Sequence, residues 1–374
     1  MTDENVLPFA SVETAGGTAF LDDHLRLLAN PTGPLGLRRM IRSTADMTGA
    51  LLDGAPAVLA RIGADAVLAD MAEPAGAVLA RHLGLPCVAT VTGLPLMEEP
   101  EVPPPFLDWP YIPGGAGRFR NQGGYAVARL LMRPIARVVE ARARAWGVTA
   151  EEPGLHVAQC PAAFDFPRRH LPANFRYGAP WRLPEKESVD LPDDGRPLVF
   201  CSLGTLQGSR TAMFAAMTAA CAGVGARAVV AHGGGLSASE AAALPGEPLV
   251  RGWWPQAEVL RRCAAAVLHG GFNSVLDALA AGVPIVAVPI AFEQPATAAR
   301  IEWTGAGRVV PFRRASRGAL TRALRAVLEQ PRYREAARRV GQTIAGRDGA
   351  AEAADAISAW LPANAAGDTR ASPG

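Results

Sequence analysis

The chain has 374 residues, with 37 Lys and Arg against 35 Asp and Glu, and a formal charge of +2. That length exceeds one ordinary core and points to two domains, while the near-neutral charge argues against a protein built for nucleic acid or another polyanion. The five cysteines (Cys87, Cys160, Cys201, Cys221, Cys263) are scattered without a Cys-x-x-Cys pair, which argues against a disulfide framework or zinc site and suits a reducing cytoplasm. The first residues, Met-Thr-Asp-Glu-Asn, lack the basic and apolar regions of a signal peptide, and no apolar run is long enough to span a bilayer.

Apolar runs predict strands at 7–12, 66–69, 87–92, 156–159 and 175–177, and helical spacing predicts helices at 20–29, 35–60, 75–83 and 126–146. Between them, 100–124 carries Pro103, Pro104, Pro105, Trp109, Tyr111 and several glycines, and predicts a long loop. Residues 180–197 are proline-rich and charged, so a linker is placed at 181–197. The second half alternates regularly, with strands at 198–203, 226–231, 248–253, 264–268, 285–289 and 308–311. Helical patterns lie between most of them, at 210–222, 256–263 and 273–281, and two long ones, 316–329 and 332–361, finish the domain. This is an α/β chain of two Rossmann-like doubly wound domains, 1–180 and 198–362, with a disordered tail at 363–374.

Four motifs fall at the carboxyl ends of predicted parallel strands, where open α/β sheets bind ligands. "CSLGTLQG" (201–208) offers Ser202, Gly204 and Thr205, and "GWWPQAEVL" (252–260) offers two tryptophans and Gln256. "HGGFNSVLD" (269–277) places an imidazole and two glycines where a buried strand turns into a helix, the usual place for an anion. "FEQ" (292–294) follows the strand ending at Pro289. Each motif also has a plainer reading. Ser274 and Asp277 suit a capping box, Trp253 and Trp254 suit the core, and His269 alone suits a hydrogen-bonded turn. "AHGGG" (231–235) also puts His-Gly-Gly after a strand, but no Asn-Ser pair follows it, so His232 ranks below His269.

In order and spacing, "WWPQAEVL…HGGFNSVLDALAAGVPIVAVPIAFEQPATAARI" resembles the donor signature of UDP-sugar-dependent inverting glycosyltransferases of the GT-B fold. The resemblance implies that Trp253 stacks on uracil and Gln256 reaches the nucleoside. It implies that His269, Gly271, Asn273 and Ser274 hold the diphosphate, Asp277 the ribose, and Glu293 and Gln294 the sugar. Asp277 stands where glutamate is commoner and Glu293 where aspartate is commoner, and both changes keep the charge.

"DMAEPAGAVLARHLGLP" (70–86), "LPLMEEPEVPPP" (94–105), "FDFPRRHLPANF" (164–175) and "SLGTLQGSR" (202–210) narrow the likeness to bacterial zeaxanthin glucosyltransferases. These attach glucose to the ring hydroxyls of a carotenoid. The implied reaction moves glucose from UDP-glucose to a lipophilic acceptor without a cofactor, and no Asp-x-Asp metal motif is present. Asp70 matches the aspartate that orients a catalytic histidine in that family. In relatives that histidine follows a first strand, and a helix and second strand come after it. Here the chain opens at what matches the third strand, and no Gly-His or Ser-His loop precedes Asp70. The N-terminal domain is therefore expected to be incomplete, with a start assigned too far downstream favoured over a natural truncation. His24 falls inside a helical pattern and reads as a surface residue.

Other readings stay open: a glycosyltransferase for a macrolide, sterol or other hydrophobic acceptor, and a non-catalytic UDP-sugar binder. A nicotinamide dehydrogenase would need Gly-x-Gly-x-x-Gly after a strand, and none occurs. The expected location is the cytoplasm. Arg129, Arg133, Arg137, Arg142 and Arg144 stud an otherwise apolar helix, which suits both a solvated face and peripheral contact with an anionic membrane.

Overall fold

The structure is a computed structural model that describes Leu27 and residues 33–149, 152–182 and 189–365. The strand expected at 7–12, His24 and nearly all of the helix expected at 20–29 lie outside the described residues, as do 183–188 of the linker and 366–374 of the tail.

The chain forms two compact units, one of residues 1–90, 126–156 and 356–374, the other of 91–125 and 157–355. The first unit holds α1 (Gly33–Ile62), β1 (Val67–Asp70) and α2 (Ala75–Leu83). Leu52, Ala55, Val78 and Leu79 are buried in its core with Val139 and Ala143. Strand β2 (Cys87–Val91) lies parallel to β1, Val67 beside Cys87 and Asp70 beside Thr90. With β3 (Leu155–Ala158) and β4 (Phe175–Arg176) they make a sheet in the order β1-β2-β3-β4.

Helix α3 (Gly115–Ala145) starts well inside the stretch expected to be a loop. Its glycines serve close packing rather than flexibility. A Cβ on Gly117 would lie 1.8 Å from the Ile112 carbonyl oxygen, and one on Gly124 would lie 2.9 Å from the Trp109 ring.

In the second unit, β5 (Leu198–Ser202), α4 (Thr211–Ala222), β6 (Arg227–Ala231), α5 (Ala238–Ala242) and β7 (Leu249–Arg251) are followed by α6 (Gln256–Arg261) and β8 (Ala265–Leu268). Then come α7 (Phe272–Ala280), β9 (Ile285–Ala287), α8 (Gln294–Thr304), β10 (Gly307–Val309), α9 (Arg317–Glu329) and α10 (Pro331–Gly341), and the last helix, α11 (Gly349–Ala365), starts in this unit and runs into the residues of the first. The pattern read as one helix over 332–361 is thus two, and Gly341 and Gly346 mark the break: a Cβ on Gly341 would sit 2.1 Å from the Leu279 carbonyl oxygen, and Gly346 has φ +76°. Helix α11 also runs to Ala365, three residues into the expected tail.

The six strands order as β10-β9-β8-β5-β6-β7, and all five pairings are parallel. Val199 and Cys201 of β5 pack with Phe214 and Met217 of α4 and with Leu320 and Leu324 of α9. Phe200, between them, is equally buried, as a parallel strand covered on both faces requires. The strand order reverses direction at the β5–β8 pair. Such a switch point leaves a crevice beyond the carboxyl ends of the two strands.

A polar cluster is sealed inside the same unit. The Asp165 carboxylate accepts from Arg300 Nε at 2.8 Å, Arg168 Nε at 2.7 Å and Tyr177 Oη at 3.0 Å. Burial alone would raise its pKa, but the two guanidiniums outweigh burial and hold the carboxyl below its usual range.

Candidate functional site

The loops after β5 and β8 flank the switch point, and they carry two of the four motifs. Ser202 ends β5, where its Oγ accepts from the Gly204 amide at 3.2 Å and its carbonyl accepts from the His269 amide at 3.3 Å. Gly204 then takes φ +70°, and Thr205 is exposed beyond it. His269 follows β8 and is pressed between two glycines. A Cβ on Gly204 would come within 2.8 Å of its imidazole, and one on Gly271 within 2.4 Å of its Nε2. Both positions need glycine for that reason.

Burial lowers the His269 pKa to about 4, so the ring is neutral at pH 7. Its Nδ1 is buried without a hydrogen-bond partner among the described residues. Gly271 is the N-cap of α7, and no side chain caps that helix. The amides of its first turn, at Phe272, Asn273 and Ser274, therefore suit an anionic ligand.

Ser274 and Asp277 do not form a capping box. Ser274 Oγ donates to Gln256 Oε1 at 3.1 Å, and Gln256 Nε2 donates to Asp277 Oδ2 at 2.6 Å. Arg182 Nε donates to Asp277 Oδ1 at 2.8 Å, and Arg182 Nη2 to the Asn273 carbonyl at 3.0 Å. Gln159 joins the ring: its Nε2 donates to Asn273 Oδ1 at 2.9 Å and its Oε1 accepts from Arg182 Nη1 at 3.3 Å. Sequence reasoning missed Arg182 and Gln159. Arg182 stood in the expected linker and Gln159 at the end of an expected strand, and neither shows a motif before the chain folds.

The paired tryptophans divide. Trp254 is buried, donates from Nε1 to the Val230 carbonyl at 2.9 Å, and lies under the Arg251 guanidinium. Trp253 is 69% exposed, so the core reading holds for Trp254 alone. His232, ranked below His269, is a turn residue whose Nδ1 accepts from the Leu236 amide at 3.0 Å.

Glu293 and Gln294 lie at the start of α8. Phe292 before them has φ +57°, an uncommon conformation for an aromatic residue that turns the chain sharply into the helix. Gln294 is buried, and its Oε1 accepts from the amides of Ile290 and Ala291, both at 2.9 Å. That fixes the amide so that Nε2 is left to donate. Burial raises the pKa of half-buried Glu293. In the first unit, Asp70 ends β1 and its Oδ1 accepts from the Ala72 amide at 2.8 Å.

The loop after β8 thus brings a neutral imidazole and an uncapped helix start together, and Asp277, paired with Gln256, lies further along the same helix. Residues 161–356, which contain all of them, match the family UDPGT, UDP-glucoronosyl and UDP-glucosyl transferase. The chain belongs to this family. It is 36% identical over 283 residues to the zeaxanthin glucosyltransferase of Pseudescherichia vulneris, covering 73% of this chain and 68% of that protein. It is 31% identical over 375 residues to the zeaxanthin glucosyltransferase of Pantoea ananas, covering 96% of this chain and 86% of that protein. The crystal structure of CalG4, the calicheamicin glycosyltransferase, aligns with a TM-score of 0.71 over 87% of this chain and 82% of that one; at 24% identity this is a likeness of fold. The UDPGT member described here is accordingly a glycosyltransferase with the expected α/β GT-B fold.

Proposed function

We propose that the enzyme transfers glucose from UDP-glucose to a ring hydroxyl of a carotenoid of the zeaxanthin type, with inversion to a β-glucoside. The observation that carries this reading is the clustering of the donor motif around His269 at the β5–β8 switch point. The likeness to the two zeaxanthin glucosyltransferases supports the choice of sugar and acceptor.

In this mechanism an acceptor oxygen attacks the anomeric carbon as UDP departs. Trp253 stacks on the uracil, Gln256 reaches the nucleoside, and Asp277 accepts from the ribose hydroxyls. Ser202, Gly204 and Thr205 line the phosphate side. The diphosphate lies against the first turn of α7 at Gly271, Asn273 and Ser274, and His269 donates an N–H to it as charge grows on the leaving oxygen. With those groups carrying the charge, the transfer needs no metal or cofactor. The acceptor's proton passes to a base, the role that the family resemblance gives to a histidine oriented by Asp70.

Gln294 Nε2 donates to a sugar hydroxyl and Glu293 accepts from one. A site built on such bonds discriminates against the epimer that leaves them unpaired, so UDP-glucose should be used at least tenfold better than UDP-galactose. Equal use of the two would remove this role from Gln294.

Incubation with UDP-[14C]glucose and zeaxanthin, beside a panel of sterol and macrolide alcohols, tests the whole reading. Labelled zeaxanthin glucoside is the expected product. Label on another alcohol alone would overturn the acceptor, and UDP binding with no transfer to any acceptor would leave a non-catalytic binder.

A further inference from the structure

We infer a divalent-metal site, of the kind that takes zinc, at Glu99, Glu101 and His170. One ligand atom from each of the three residues lies within 4.8 Å of the others. Nothing in the sugar-transfer reading uses these side chains.

Two buried carboxylate oxygens carry the inference. Glu99 is 1% exposed; its Oε1 accepts from the Arg169 amide at 2.5 Å, but Oε2 is buried without a hydrogen bond among the described residues. Glu101 Oε2 is buried and lacks a hydrogen bond among them as well. Two such oxygens on neighbouring glutamates are costly unless a cation or a shared proton satisfies them. The nearest cationic groups are poorly placed to do so. Arg118 Nη1 is 3.7 Å from Glu101 Oε1 on a largely exposed side chain, and Arg168 Nη1 is 4.0 Å from Glu99 Oε2. Arg168 is already engaged by Asp165 and the Met97 and Pro95 carbonyls.

The frame is preformed. The Val102 amide donates to the Glu99 carbonyl at 2.9 Å, closing a turn that sets the two glutamates side by side. Buried Asn121 donates to the Pro100 carbonyl at 3.0 Å, and Tyr125 Oη to the Val102 carbonyl at 3.2 Å. Glu101 and His170 open on a surface pocket also lined by Gln122 and Phe119, which leaves room for a water. Zinc takes carboxylate oxygens and imidazole nitrogens alike, and two glutamates, one histidine and a water would make a four-coordinate site with the water in the open position.

The test is calorimetric titration of the chelator-stripped full chain with Zn2+, beside Glu101→Gln and His170→Ala, with thermal unfolding in parallel. The wild type should bind one Zn2+ with micromolar or tighter affinity and unfold at a higher temperature with it. Each variant should bind at least tenfold more weakly. Both side chains are wholly or partly solvent-facing, and unchanged UDP affinity in the variants would show that they fold. Two results would overturn the assignment: no Zn2+ binding to the wild type, as expected if the glutamates share a proton, or binding that both variants retain.

Discussion

Gln256 Nε2 donates to Asp277 Oδ2 at 2.6 Å, tying the start of α6 to the second turn of α7. Arg182 takes the other carboxylate oxygen at 2.8 Å, so the acid proposed to receive the ribose is engaged from both sides. A ribose hydroxyl must displace one of these donors, and Arg182, with 32% of its side chain exposed, is the easier to move. Asp277→Ala should therefore weaken UDP binding by about tenfold or more, the loss of a hydrogen bond to a charged group. Arg182→Ala should bind UDP at least as well as the wild type. Calorimetry decides it: an Arg182→Ala loss as large as that of Asp277→Ala would make Arg182 a donor contact, and the displacement account would fail.

The neighbouring tryptophans should separate binding from stability. Trp253→Ala removes a side chain that is 69% exposed and should leave the unfolding temperature nearly unchanged. It should cost UDP binding about 1–3 kcal/mol, the range for stacking of an aromatic on a base. Trp254→Ala empties a core position and removes a hydrogen bond to the Val230 carbonyl, at about 3–5 kcal/mol of stability. A Trp253→Ala protein with unchanged UDP affinity would end the stacking assignment.

Much of this arrangement was legible in the sequence because it is local. Strands such as β5 and β8 announce themselves as short apolar runs closed by Gly204 and Gly270, since both faces of a parallel sheet are buried. Helix α8 was missed because Ala296, Thr297, Ala299 and Arg300 are buried around it, which leaves no polar stripe to give a period. The start of α3 reads as loop because glycines that allow close packing look, in sequence, like glycines that allow turning. Within the site, His269 and Asp277 sit in one contiguous motif, whereas Arg182 and Gln159 meet Asn273 across 91 and 114 residues. No spacing rule reaches that far.

His269 should make donor affinity depend on pH. In the free protein burial holds its pKa at about 4, below the usual 6.5. A folded-state value below the unfolded one means that the fold loses stability as pH falls from about 6.5 towards 4, by at most about 3 kcal/mol. A bound diphosphate favours the imidazolium and raises that pKa, so UDP-glucose, whose own charge is constant over this range, should bind with proton uptake. Its affinity should rise several-fold from pH 7 to pH 5 in the wild type, and His269→Gln should lose both this rise and the acid destabilisation. Identical affinity profiles for the two proteins would show that His269 does not face the diphosphate.

Helix α3 bears on how the enzyme would meet the proposed carotenoid acceptor, which lives in a bilayer. Among the described residues no helix is long and apolar enough to cross a membrane. On α3, Val127 is 58% exposed, Leu130 67% and Leu131 43%, and spacing of three and four residues puts them on one face. Arg129, Arg133 and Arg137 are exposed on the same stretch. Arg142 is taken up by an ion pair with Asp53 and by the Trp146 ring, which narrows the basic set read from the sequence. An apolar row beside arginines suits an anionic lipid surface, to which each arginine adds about 1 kcal/mol at low salt. Flotation with vesicles containing phosphatidylglycerol should carry the protein upward at low salt and release it at high salt. Replacing Arg129, Arg133 and Arg137 together by glutamine should abolish flotation while leaving UDP affinity intact. If the wild type stays at the bottom of the gradient at low salt, the face is simply solvated, and the acceptor reaches the enzyme by another route.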